Sequence, residues 1–141
     1  MDSSLAGNFC PFGSPSWADL PEKQKSIEFS TKLWSRIVQY CSPKALVCLG
    51  QVCYRCMREV TITAGYESVG DPELHAIPRR NRFGGDINYV TEEMNGRKPL
   101  LLVQLPHLSR YQVFERAYSS DCFLPLMQKL ADYYSESLTS Q

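Results

Sequence analysis

The chain has no net charge, no long apolar run and no recognisable catalytic loop, and each absence narrows what it can do. Fifteen basic residues balance fifteen acidic ones over 141 positions. Nucleic-acid binders normally carry a basic excess that neutralises phosphates, so no nucleic-acid partner is expected. No apolar stretch approaches the roughly 20 residues that a spanning helix requires, so no membrane is expected either. The chain opens Met1, Asp2, Ser3, Ser4, with an acid where a secretory signal would be positive and no apolar segment behind it. That start predicts an intracellular protein, cytoplasmic or nuclear, with reduced thiols. G-x-S-x-G, Walker and H-E-x-x-H motifs are missing, and neither an enzyme nor a cofactor is expected.

What is present suits a folded domain. Apolar residues make up 43% of the chain and aromatics 11%, enough to build a core. Glycines, prolines and serines interrupt residues 1–16 without any period, which predicts a flexible tail. Phe29, Leu33, Ile37 and Tyr40 recur at helical spacing and predict a helix from Ser26. Ser42 followed by Pro43 reads as a helix start, with Leu46, Leu49, Cys53 and Cys56 or Met57 as its stripe and Gly50 as a break. Val60 to Thr63 is β-branched and reads as a short extended stretch. Pro72, Pro78, Gly84 and Gly85 make the following segment read as a surface connection.

A hairpin is predicted from Ile87, Tyr89 and Thr91, with a type I′ turn at Asn95 and Gly96 and a second strand at Leu100–Leu105. Two helices should follow. The first starts near Ser109 with Tyr111, Phe114 and Tyr118, and the second near Ser120 with Phe123, Leu126, Met127, Leu130 and Tyr134. The expected class is α+β: a tail over residues 1–25, a helical module over 26–65, a loop over 66–85 and a small α+β unit over 86–138.

Residues 29–59 read FSTKLWSRIVQYCSPKALVCLGQVCYRCMRE. Leu33, Ile37 with Val38, Ser42 with Pro43, Leu46, Leu49, and Val52 with Cys53 follow one another at the spacing of an F-box. The stretch resembles that module, the short three-helix unit by which substrate receptors of cullin-type ubiquitin ligases bind the adaptor Skp1. Two positions depart from the family, whose opening Leu-Pro falls on Phe29 and Ser30 and whose closing Trp falls on Cys56. The resemblance implies that Leu33, Trp34, Ile37, Val38, Pro43, Leu46, Leu49 and Val52 contact a Skp1-like partner. The chain would then be a non-enzymatic adaptor that brings an unidentified target protein to the ligase by proximity. Whether it serves its own cell or exploits a host's machinery stays open.

Other readings use the same residues. If the stripe is internal core, the chain is a structural or self-associating interaction protein with no ligase link. Leu49, Cys53 and Met57 also resemble a BC-box, which would make Elongin C the partner. Cys53 and Cys56 have C-x-x-C spacing, but structural zinc normally takes two such pairs, and the second is missing; packing is the expected role and no metal is predicted. Cys122 with His107 lacks the flanking signature of a nucleophile pair. Glu92 and Glu93 read as solvated residues near the hairpin turn. Arg79, Arg80 and Arg82 form a basic cluster that would contact a target or an anion.

Overall fold

The computed structural model describes residues 4–11, 13, 16–80, 86–107 and 119–135. Within them the order of elements is α1 Lys23–Cys41, β1 Ala45–Leu49, α2 Gln51–Thr63, β2 Glu67–Ser68, β3 Glu73–Arg80, β4 Asp86–Asn95, β5 Leu100–Leu105 and α3 Ser119–Ser135. The fold is mixed α+β, as expected. β5 lies between β1, to which it is parallel, and β4, to which it is antiparallel. The far side of β4 is shared by β3 and the two-residue β2.

β5 explains the layering. Leu100, Leu101, Leu102 and Val103 are all 0% exposed, as a strand covered on both faces requires. Leu100 and Leu102 pack with Val38 of α1, Tyr54, Met57 and Val60 of α2, and Met94. Leu101, Val103 and Leu105 turn the other way and pack with Ile77, Tyr89, Phe123 and Leu126. Thus α1 and α2 cover one face of the sheet and α3 covers the other. Each buried leucine contributes about 1.5–3 kcal/mol, and a one-residue slip would exchange the two sets of contacts.

The start of the predicted second helix is a strand instead. Ser42 adopts a left-handed conformation (φ 44°) and ends α1, its N–H donating to Val38 O at 2.9 Å. Residues Ala45–Leu49 then pair in register with Leu101–Leu105. A short continuous apolar run fits a buried helix and a strand equally well by pattern, and pairing with β5 decides between them. The helix begins only after Gly50. At its far end Val60 and Thr61, expected to be extended, are helical and fully buried, because packing outweighs β propensity. Ser35 Oγ donates to Val60 O at 3.3 Å, so small residues bring α1 and α2 close together.

Further expectations change. The supposed connection over 66–85 contains β2 and β3, with β3 paired to β4 from Glu73 to Ile77. Its register shifts between Ile77 and Arg80, so Pro78 falls where ladder donors are lost, on an edge strand. Neither Asn95 nor Gly96 has a positive φ, so the β4–β5 connection is not a type I′ turn. A Cβ on Gly96 would lie 2.7 Å from the Tyr66 ring, and glycine is needed there for close approach.

The tail also packs: Phe9 and Leu20 are buried, and Phe9 O accepts from Trp34 Nε1 at 2.9 Å. Within residues 26–65, strand β1 belongs to the sheet, and Val38 and Tyr54 pack with Met94 and Leu102. The C-terminal helix is present as α3, with Phe123 and Leu126 buried and Met127 exposed. The helix expected near Ser109 lies outside the described residues.

Candidate functional site

One residue, Gly50, separates β1 from α2. Its φ of 91° suits glycine, its N–H donates to Leu105 O at 2.8 Å, and its carbonyl accepts from Tyr54 N at 3.2 Å. Because β1 and β5 are parallel, their carboxyl ends reach the same end of the sheet. His107, two residues beyond β5, lies there, with Cδ2 3.7 Å from where a Gly50 Cβ would stand.

β1 is an edge strand, and among the described residues no strand pairs with its outer side. The Gly50 amide points to β5, so the alternation of strand backbone directs the Val47 amide away from it. The adjoining side chains are apolar and exposed: Val47 at 53%, Leu49 at 42% and Val52 at 46%. Ala45 packs into the α3-side core, which places Val47 and Leu49, two and four residues on, on that same side.

The residues implied by the F-box resemblance separate into two groups. Val38 is buried, and Trp34 and Leu46 pack against the α1/α2-side core. Ile37 and Pro43 are half-buried, whereas Leu33, Leu49 and Val52 are exposed. They do not form one face, because Leu46 and Leu49 leave β1 on opposite sides of the sheet. The BC-box spacing likewise fails to define a helical face: Leu49 is in β1, Cys53 is in α2, and Met57 is buried. Arg79 and Arg80 end β3, and Arg82 lies outside the described residues.

Thiols cluster around the same junction. Cys48 on β1 is buried, and Cys53 in the first turn of α2 is half-buried. Cys48 is part of the α1/α2-side core and Cys53 packs against it. The neighbouring Cys48 thiol and the Leu49 backbone hold the Cys53 pKa down, at about 7, against the opposing effect of burial. Cys48 is pushed strongly upward by its neighbour Cys53 and by burial. Cys56, one turn along α2, is raised by burial, and Cys10 accepts from Ser30 Oγ at 3.4 Å. Among the described residues no group of His, Cys, Asp and Glu is arranged to hold a metal ion.

Sequence reasoning missed one buried charge. Glu92 is 1% exposed, not solvated. Its carboxylate accepts from Tyr54 OH at 2.6 Å, Arg58 Nε at 3.0 Å and Ser68 Oγ at 2.8 Å. Burial alone would raise its pKa, but donation from Arg58, Tyr54 and Ser68 outweighs that, and the carboxyl is held below its ordinary value. Strand alternation with Val90 and Met94 marked the position as inward-facing. On the other face His75 stacks on Tyr89 at 4.5 Å and contacts Thr91 Oγ1 at 2.9 Å, while Lys129 donates to Glu73 at 2.7 Å. No described helix is long and apolar enough to cross a membrane.

Comparison of the chain with family models, curated proteins and solved structures finds no match.

Proposed function

We propose that this chain is a non-enzymatic protein-interaction module and that its contact surface is the outer edge of β1 with a second copy of the chain as occupant. The observation that carries the reading is the exposure of Val47, Leu49 and Val52 beside outward-directed strand backbone. Natural edge strands are usually blunted by lysine, proline or a bulge, and Ala45–Leu49 has none of these. An edge strand is also self-complementary: two copies meeting antiparallel about Val47, the middle residue of β1, would join their sheets across a two-fold axis.

The ubiquitin-ligase link rests on the resemblance of residues 29–59 to an F-box. On this fold a Skp1-like partner would meet Leu33, Leu49 and Val52, because Val38 is interior. Sedimentation equilibrium of the full chain tests the two arms. The self-association reading expects twice the 16.1 kDa chain mass, with Val47→Lys returning the monomer. A wild-type monomer that sediments with purified Skp1 would replace it with the ligase reading.

A second reading has its own observation, the meeting of the β1 and β5 carboxyl ends with Gly50 and His107. Open α/β sheets bind ligands beyond the carboxyl ends of their parallel strands. Titration with inorganic phosphate, followed at the His107 ring by NMR, would support it by a saturable shift; an unmoved ring at millimolar phosphate would remove it.

A further inference from the structure

The two faces of α1 reverse the usual distribution of residue types. Its buried residues are Ser26, Ser30, Ser35 and Val38, so three of the four are small and polar. Its large apolar side chains lie on the outside: Phe29 is 51% exposed, Leu33 37% and Tyr40 92%, with Ile37 half-buried between them. Close packing on α2 accounts for the serines but leaves the outer residues unexplained. At about 100° per residue, Phe29, Leu33, Ile37 and Tyr40 form one stripe roughly 16 Å long. Single exposed apolar residues are ordinary, whereas a contiguous stripe marks an interaction surface.

Charge and shape indicate what covers it. Lys25, Lys32 and Arg36 fall within about 40° of one another and border the stripe on one side. Lys25 is paired with Glu22 at 3.2 Å, and Glu28, the acid nearest this border within the helix, accepts from Gln24 at 3.1 Å. Lys32 and Arg36 are exposed, and no ion pair among the described residues engages either. At the N-terminal end of the stripe, Pro21, Glu22, Lys25, Ser26 and Phe29 line an open depression of about 480 Å³. A hollow of that kind receives a bulky side chain of a partner polypeptide. A second copy of α1 does not suit the stripe. Two such helices meeting antiparallel about a two-fold axis set the basic border of each against that of the other, and like charges oppose the contact.

We propose that the outer stripe of α1 is a docking site for an acidic amphipathic helix of another protein, separate from the β1 edge. Apolar residues three and four apart on the incoming helix pack along Leu33 and Tyr40, and one of them enters the depression beside Phe29. Carboxylates on its flank pair with Lys32 and Arg36, which fixes the direction in which it lies.

The test is a selection from a displayed library of random peptides about 15 residues long, enough to span the stripe as a helix. The bait is the full wild-type chain, with counter-selection on Leu33→Asp. The peptides retained should carry net negative charge and apolar residues at helical spacing. By fluorescence anisotropy they should bind the double variant Lys32→Glu, Arg36→Glu about 10-fold more weakly than wild type. Tyr40→Ser should weaken binding as well, and Val47→Lys, altered only on the β1 edge, should bind as wild type does. All these positions except Leu33 are well exposed, and circular dichroism checks that each variant keeps its fold. No peptide surviving counter-selection, or survivors that are neutral or basic, would overturn the proposal. Loss of binding in Val47→Lys would also overturn it, by moving the contact to β1. Sedimentation of the wild type, but not Leu33→Asp, with vesicles of phosphatidylserine and phosphatidylcholine would replace the helix with a membrane surface.

Discussion

The Tyr54 hydroxyl donates a 2.6 Å hydrogen bond to Glu92 Oε2 and joins α2 to the middle of β4 inside the core. Arg58, one turn along the same helix, donates to both Glu92 oxygens, and Ser68 of β2 completes the set. One carboxylate thus gathers three elements. Its cost is offset only while all three donors are in place.

Removing that carboxylate should therefore be expensive. Glu92→Ala leaves the Tyr54 hydroxyl and a partly buried guanidinium without their acceptor, and we expect a loss of about 3 kcal/mol, towards the low end for a broken buried pair because Arg58 keeps some solvent. Urea unfolding of the variant and wild type measures it.

The same group makes stability depend on acid. Its folded pKa lies below its ordinary value of 4.5, so its contribution is complete above that value and is lost as pH falls from there through the depressed folded pKa. Urea midpoints of the wild type should fall over that interval, and Glu92→Gln, which cannot titrate, should show a shallower fall. Parallel curves for the two proteins would contradict this.

Gly96 tests the close approach to Tyr66. Alanine there would put its Cβ 2.7 Å from a buried ring that has little room to move. We expect a destabilisation of about 1–3 kcal/mol from overpacking, read as a lowered melting temperature.

Leu102 tests whether one core spans the chain. It contacts residues of the N-terminal helices from the central strand, so Leu102→Ala should cost about 2–5 kcal/mol and shift a single transition. Two transitions, one of them unmoved, would mean that the N-terminal and C-terminal parts fold separately.

Legibility from sequence followed how closely each segment kept to one pattern. β5 and α3 were visible because Leu100–Leu105 is flanked by turn residues and Phe123, Leu126 and Leu130 keep a helical period. β1 was not, because Ala45–Leu49 is apolar at every position and Ser42–Pro43 imitates a helix start. β3 was hidden by Pro72 and Pro78, tolerated because the strand lies at an edge. At the site, Leu49 and Val52 are exposed, but the setting of Leu49 on an edge strand depends on pairing with β5, a partner some fifty residues away. The burial of Glu92 against Tyr54 and Arg58 is a tertiary fact of the same kind.

The most direct test of the proposed β1 interface is amide hydrogen exchange at Val47 as a function of protein concentration. Its amide points away from β5, so it should exchange rapidly when the chain is dilute and become protected as copies pair, while amides of β5 stay protected throughout. Exchange at Val47 that is fast at every concentration, in a chain whose β5 amides are protected, would contradict the account.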